Sequence, residues 1–231
     1  MKRTITILVS SIAIIVLLLF GTYKLMNSRT YQVLGSITSQ ADTGRKAVAL
    51  TFDDGPTGHV EQLLPLLDKY HAKATFFLIG KELENHMEEG RSIAAAGHQI
   101  GNHTYSHNRM VFKSPSYIRQ EIEKTNALIR ETGYQGVIDF RPPNGKKLFG
   151  LPYYLKTHDM RTITWSLEPD TFYTSVSDKV DYVNKYAVPG SIILLHPMYD
   201  QTGNELAAIE GILDGLSKRG FHLVTINELL E

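Results

Sequence analysis

A chain of 231 residues with a hydrophobic share of 42% can bury one sizeable core, and its 24 basic and 24 acidic side chains cancel to zero formal charge. Four of the basic residues, Lys2, Arg3, Lys24 and Arg29, precede the first acidic one, Asp42, so the remainder is mildly acidic, which argues against nucleic acid as a partner. Cysteine is absent, which excludes disulfides, thiol catalysis and thiolate metal sites.

Behind Lys2 and Arg3, Ile5 to Tyr23 is a 19-residue stretch without charge. At 1.5 Å per residue it reaches across a bilayer core of about 30 Å. It is longer than the apolar region of a signal peptide, and Gly21-Thr22-Tyr23-Lys24-Leu25-Met26 offers no cleavage site of small residues. Residues 1–4 are therefore expected in the cytoplasm, 5–23 as an uncleaved single-pass anchor, 24–45 as a polar linker and 46–231 as one domain outside the cell membrane.

Ala47 to Phe52 has the apolar, β-branched content of a buried strand and is stopped by Asp53-Asp54-Gly55-Pro56. Val60, Leu63, Leu64 and Leu67 then mark an amphipathic helix, and Ala74 to Ile79 a second strand. A weaker helix over 85–96 ends at Gly97, before a short strand Gln99 to Asn102. Ser114-Pro115 starts a helix striped by Ile118, Ile122, Thr125 and Ile129. Val137 to Phe140 reads as a strand halted by Pro142-Pro143, and a short helix over 151–158 precedes the strand Arg161 to Trp165. Ser177 is a candidate cap for a helix to Tyr186; Ser191 to Leu195 is a continuous apolar strand. A helix striped by Leu206, Ile209, Leu213 and Leu216 leads to the strand Phe221 to Thr225. About seven β/α units in sequence predict a closed or nearly closed barrel.

In such a barrel, functional groups gather where strands end. Asp53 and Asp54, His103 and His107, Arg141, and His196 each follow a predicted strand, so four strand ends bring titratable groups to one rim. Adjacent carboxylates aimed into one cleft repel and favour a shared proton or a cation. His103 and His107 are four apart, which on a helical turn puts both imidazoles on one face. Two histidines and one carboxylate leave positions open for water and substrate, as hydrolytic zinc sites require. Without cysteine, such a donor set suits Zn2+, with Co2+, Ni2+ or Mn2+ as neighbours.

Thr51-Phe52-Asp53-Asp54-Gly55-Pro56, His103-Thr104-Tyr105-Ser106-His107, Arg141-Pro142-Pro143-Asn144-Gly145 and Leu194-Leu195-His196 occur in this order and resemble the successive motifs of the polysaccharide deacetylase family, carbohydrate esterase family 4, the NodB homology domain. The resemblance spans about residues 46–230. It implies a distorted (β/α)7 barrel that removes acetyl groups from an N-acetylated glycan. It also implies Asp54, His103 and His107 as metal ligands, Asp53 as general base toward the metal-bound water, and Arg141 as its partner. His196 would protonate the leaving amine, the Asn144 N–H would donate to the oxyanion, and Trp165 and Leu194 would wall the substrate pocket.

Three positions depart from the family pattern. Asn144 stands where an aromatic residue is common, Pro197 where Asp often follows the histidine, and Trp165 to Phe172 lacks the usual Asp-Trp pair. Phe172 is a candidate replacement for the groove aromatic, and Asp170 or Glu168 for the acid that tunes His196. The expected substrate is peptidoglycan amino sugar in the cell wall. The alternatives are a chitooligosaccharide or exopolysaccharide deacetylase, or a weakly active glycan-binding wall protein.

Overall fold

The computed structural model describes residues 2–231; Met1, the first of the four residues expected in the cytoplasm, lies outside them. Helix α1 (Lys2–Asn27) carries an 18-residue window of mean hydropathy 2.6 with none of it buried, and by length and composition can cross a membrane. It is longer at both ends than the uncharged stretch 5–23. Strand β1 (Ile37–Thr38) follows, then β2 (Ala47–Asp53), α2 (Val60–Lys69), β3 (Thr75–Leu78), α3 (Gly80–Asn85), α4 (Met87–Ala95) and β4 (Gln99–Asn102). The second half holds α5 (Pro115–Glu131), α6 (Gly150–Thr157), β5 (Thr162–Ile163), α7 (Val176–Tyr186), β6 (Ile192–Leu195), α8 (Asn204–Lys218), β7 (His222–Val224) and α9 (Ile226–Leu229).

Every residue of β2 is buried, and parallel ladders extend from it to β3, β6 and β7, with β4 beyond β3. Phe140 bridges Asn102 on one side and Thr162 on the other, and Leu167 bridges Ile193. The ladder thus runs from β6 through β2, β3, β4, Phe140 and β5 and returns to β6, a distorted β/α barrel. Strand alternation sorts β2 between two environments. Val48, Leu50 and Phe52 join the core that faces helices α2, α7 and α8, whereas Ala47 and Ala49 join an inner cluster with Phe77, Ile163, Trp165, Ile192 and Leu194. Thr51 and Asp53 share the inward parity, which carries polar groups into the barrel at the carboxyl end of β2.

Four expectations need correction. Val137 to Phe140 supplies single bridges instead of a strand, because Gly136 before it and two prolines after it leave no length for a ladder, and Val137 is exposed. The helix expected over 85–96 is α4, shorter at both ends, and a separate short helix, α3, that was not expected precedes it up to Asn85. Ser175, not Ser177, caps α7, its hydroxyl accepting from Asp178 N–H at 3.1 Å. The polar segment 24–45 is attached to the barrel: β1 pairs in parallel with β5, and the Ala41 N–H donates to the Gly190 carbonyl at 2.9 Å.

Candidate functional site

Arg141 is fully buried, and its guanidinium organises the inner end of the site. Nη1 donates to Asp53 Oδ1 at 2.6 Å and to Thr51 Oγ1 at 2.8 Å, and Nη2 donates to the Thr164 carbonyl at 3.1 Å. The cation also lies 4.1 Å from the centroid of the Phe77 ring. Thr51, which the sequence reading did not single out, extends the network by donating to the Ile193 carbonyl at 2.8 Å. Burial alone would raise the Asp53 pKa, but the charges of Arg141, His103 and His196 outweigh it and hold the carboxyl below its ordinary value.

Asp54 leaves the strand with φ 74° and Gly55 follows with φ 67°, a pair of left-handed residues that Asp and Gly tolerate best. This turn sends the Asp54 carboxylate away from Arg141 and toward the two histidines. Its Oδ1 lies 3.3 Å from His107 Nε2 and 3.9 Å from His103 Nε2. The histidines come from a loop, not the helical turn expected from their spacing: Thr104 and His107 have φ of 67° and 56°. Side chains build that loop, with Asn102 Oδ1 accepting from Thr104 N–H and Thr104 Oγ1 from His107 N–H. The Glu121 carboxylate accepts from both the N–H and the hydroxyl of Ser106.

One ligand atom from each of Asp54, His103 and His107 falls within 4.8 Å of the others. His103 Nδ1 sits 2.8 Å from the Arg141 carbonyl, which can only accept, so Nδ1 carries the proton and the Nε2 lone pair faces the carboxylates. Burial lowers the His103 pKa and favours this neutral form. Asp54 Oδ1 is buried without a hydrogen-bond partner. A buried, orphaned carboxylate oxygen facing two imidazoles is a donor set that fits a divalent cation.

On the opposite side, Asp170 Oδ2 accepts from both the backbone N–H of His196 at 3.0 Å and its Nδ1 at 3.1 Å. Of the two acids left open by the sequence, Asp170 therefore touches His196, while Glu168 accepts from Trp165 Nε1 at 2.9 Å. Asp170 is held from behind by Lys179 at 2.9 Å, which also pairs with Glu205. Burial by itself would lower the His196 pKa; the hydrogen bond to Asp170 and the charges of Asp53, Asp170 and Asp54 outweigh it and raise it to about 9. Nothing in the sequence pointed to Lys179 except its place on an inward position of α7.

Asp53, Asp54, His103, His107, Asp170 and His196 line one cleft of about 710 Å3, together with Asn144, Trp165 and Leu194. Asn144 adopts φ 53° in the single turn Pro143–Gly145, where the first N–H groups have no partner within the turn. Phe172 does not reach the cleft: it is largely exposed and packs with Tyr173 and Tyr182, because the turn Pro169–Thr171 rotates it outward. The cleft instead gains Asn27 and Arg29 from the end of α1 and the residues behind it.

The family model for polysaccharide deacetylase matches residues 40–163. A peptidoglycan-N-acetylglucosamine deacetylase of Bacillus cereus is 32% identical over 85% of this chain and 93% of its own length. A chitooligosaccharide deacetylase of Rhizobium leguminosarum bv. trifolii is 32% identical over 80% and 92%. A bifunctional xylanase/deacetylase of Pseudobutyrivibrio xylanivorans is 34% identical over 86% of this chain, which spans only 34% of that longer protein. Among solved structures, a peptidoglycan N-acetylglucosamine deacetylase superposes with a TM-score of 0.77 at 30% identity, covering 83% of this chain and 91% of that one. A pseudoenzyme of the same family from Bacillus anthracis reaches 0.74 at 27% identity, covering 84% and 68%.

Proposed function

Because the chain belongs to the polysaccharide deacetylase family, we propose that it hydrolyses N-acetyl groups of a cell-wall glycan, most directly the amino sugars of peptidoglycan, and releases acetate. The observation that carries this reading is the separation of roles between two adjacent carboxylates. Asp53 is bonded to a buried arginine, and Asp54 faces two histidines with an unpartnered oxygen. Since the family includes a pseudoenzyme, membership alone does not carry the activity; this intact constellation supports it.

Asp54, His103 and His107 would hold a divalent ion, with Zn2+ the first choice for a site of two imidazoles and a carboxylate. Such an ion would polarise the acetamide carbonyl and make water acidic enough to attack near neutral pH. The chain's own groups do the proton work. Asp53, kept ionised by Arg141, takes the proton from the attacking water as its oxygen bonds to the carbonyl carbon. The Asn144 N–H donates to the oxyanion that develops, and Trp165 and Leu194 wall the acetyl group. His196, charged because Asp170 holds Nδ1, delivers its proton from Nε2 to the departing nitrogen as the C–N bond breaks. Asp170 takes the place of the acid missing from the usual fourth motif.

For placement in the cell, we read α1 as an uncleaved anchor with residues 46–231 outside, on the strength of its length and its charge-free run. An amino terminus beyond Met26 on the cell-associated protein would contradict this. The activity is tested by acetate release from purified peptidoglycan and from N-acetylglucosamine oligomers, before and after chelation. Release from peptidoglycan that stops on chelation and returns with Zn2+ is expected; chelator-resistant release, or none from either glycan, would overturn the proposal.

A further inference from the structure

The cleft lining includes Asn27 and Arg29, which precede the family-matched stretch 40–163. Helix α1 ends at Asn27, whose side chain lines the cleft and accepts from Lys146 Nζ. The segment is held down at several points: the Lys147 N–H donates to the Met26 carbonyl at 3.4 Å and Lys147 Nζ to the Ser28 carbonyl. Thr164 Oγ1 donates to the Arg29 carbonyl at 2.6 Å. These contacts fix the backbone of residues 26–29 against the loop that carries Asn144 and against the segment after β5 that carries Thr164 and Trp165.

Held there, the Arg29 guanidinium lies over the Trp165 ring, 5.4 Å from its centroid. Its carboxylate neighbour, Glu168, is 3.6 Å away and already accepts the Trp165 Nε1–H, and the Arg29 side chain remains 40% exposed toward the cleft. Further along the same rim, Lys146 donates only to the neutral Asn27 amide, and Arg109 donates to the neutral Asn144 amide at 3.2 Å. Arg29 and Lys146 thus line the cleft with one ion-paired acid, Glu168, between them among the described residues, and Arg109 stands beside Asn144 just outside that lining. Elsewhere in the cleft, Asp53 and Asp170 are matched by Arg141 and Lys179. Lys146 and Arg109, bonded to neutral amides, keep their charge available for an anion at the cleft, and Arg29 faces a carboxylate, Glu168, that is already shared with the Trp165 Nε1–H.

We propose that the segment Asn27–Arg29 completes the substrate cleft, and that Arg29 with Lys146 recognises an anionic group, carboxylate or phosphate, on the glycan whose acetyl group is removed. The inference rests on the deacetylase reading for the nature of the glycan. It adds that the site depends on residues contiguous with the apolar helix. If α1 is the anchor read above, Tyr23, the last residue of the uncharged stretch, stands only four positions before Asn27, which puts the cleft within roughly 10 Å of the bilayer surface at 1.5 Å per helical residue. Substrate strands would therefore be met at the membrane face.

Trp165 is the single tryptophan of the chain and stands between Arg29 and the catalytic groups, so its fluorescence reports cleft occupancy without turnover. The full chain, in a detergent with uncharged headgroups, is titrated with N-acetylated oligomers carrying a sugar carboxylate, with their methyl esters, and with a phosphorylated counterpart. The free acid is expected to bind about tenfold more tightly than the ester, the order of one charge-assisted hydrogen bond. In Arg29→Gln that ratio should fall toward one, in Lys146→Gln it should fall part of the way, and Arg29→Lys should restore part of it. A larger preference for the phosphorylated oligomer would identify phosphate as the anion. Equal binding of acid and ester by the wild-type chain, or an unchanged ratio in Arg29→Gln and Lys146→Gln, would overturn the proposal. Acetate release on the same samples separates the two inferences. Selective binding without release removes the deacetylase reading and keeps the anion site, whereas release without selectivity does the reverse.

Discussion

Replacing Asp170 by Asn isolates the group that keeps His196 charged. The wild-type imidazole titrates at about 9, against an ordinary 6.5, and the hydrogen bond to Asp170 is the largest contribution in the upward direction. Asn keeps the size and can still accept, but it removes the negative charge, so burial, opposed only by the remaining charges of Asp53 and Asp54, pulls the pKa down from about 9 toward the ordinary value. The required form is protonated, so activity is present below the pKa and is lost as pH rises through it. At pH 7.5 the wild-type ring is almost fully protonated, whereas a ring titrating at 6.5 is about one-tenth protonated, so the rate should fall about tenfold. The assay is kcat/KM for acetate release from pH 5 to 10. The alkaline limb should move down from about 9 toward 6.5, with the loss at pH 7.5 largely recovered at pH 5.5. An alkaline limb that stays near 9 in Asp170→Asn would refute the assignment of His196 as the charged proton donor.

Two further substitutions probe what holds the site. Arg141→Met leaves Asp53 buried without its partner and Thr51 and Thr164 without their donor, so stability should drop by about 3–5 kcal/mol. For a chain of this size that is a thermal midpoint lower by roughly 6–20 °C in calorimetry; an unchanged midpoint would mean that the pair contributes no net stability. Gly190 has φ 82°, and a Cβ there would meet the Ala41 carbonyl oxygen at 1.9 Å. Gly190→Ala should therefore release the segment around Ala41 from the barrel, seen as faster proteolytic cleavage near residues 42–45 with the barrel itself intact.

How far the sequence reaches depends on the range of the interactions involved. Asp53, Asp54, His103, His107, Arg141 and His196 were legible as a group because each ends or follows a stretch that reads as a strand, and β/α order alone sends such ends to one rim, even where Val137–Phe140 supplies only bridges. The stripes of α2, α5 and α8 were legible for the same local reason: residues three and four apart share a face. What escaped is decided by partners distant along the chain or by backbone turns with no periodic signature. Lys179 matters only because α7 packs its ammonium between Asp170 and Glu205. Phe172, expected in the groove, is turned out by a three-residue turn whose direction its composition does not encode. The His103–His107 pair has helical spacing in a loop held by Asn102, Thr104 and Glu121 side chains. Residues 24–45 are polar and read as a linker; their attachment is made by backbone bonds to β5, Thr164 and Gly190, which composition does not reveal.

The claim at the centre is that two neighbouring carboxylates do different work, Asp54 toward a cation and Asp53 toward a proton. Zn2+ titration of metal-stripped Asp53→Asn and Asp54→Asn, each followed by acetate release from the same glycan, tests it most directly. Asp53→Asn should still take up one ion per chain while its release falls by at least about a hundredfold, the scale of general-base catalysis, and Asp54→Asn should lose the ion. Loss of the ion in both variants, or turnover retained in Asp53→Asn, would contradict it.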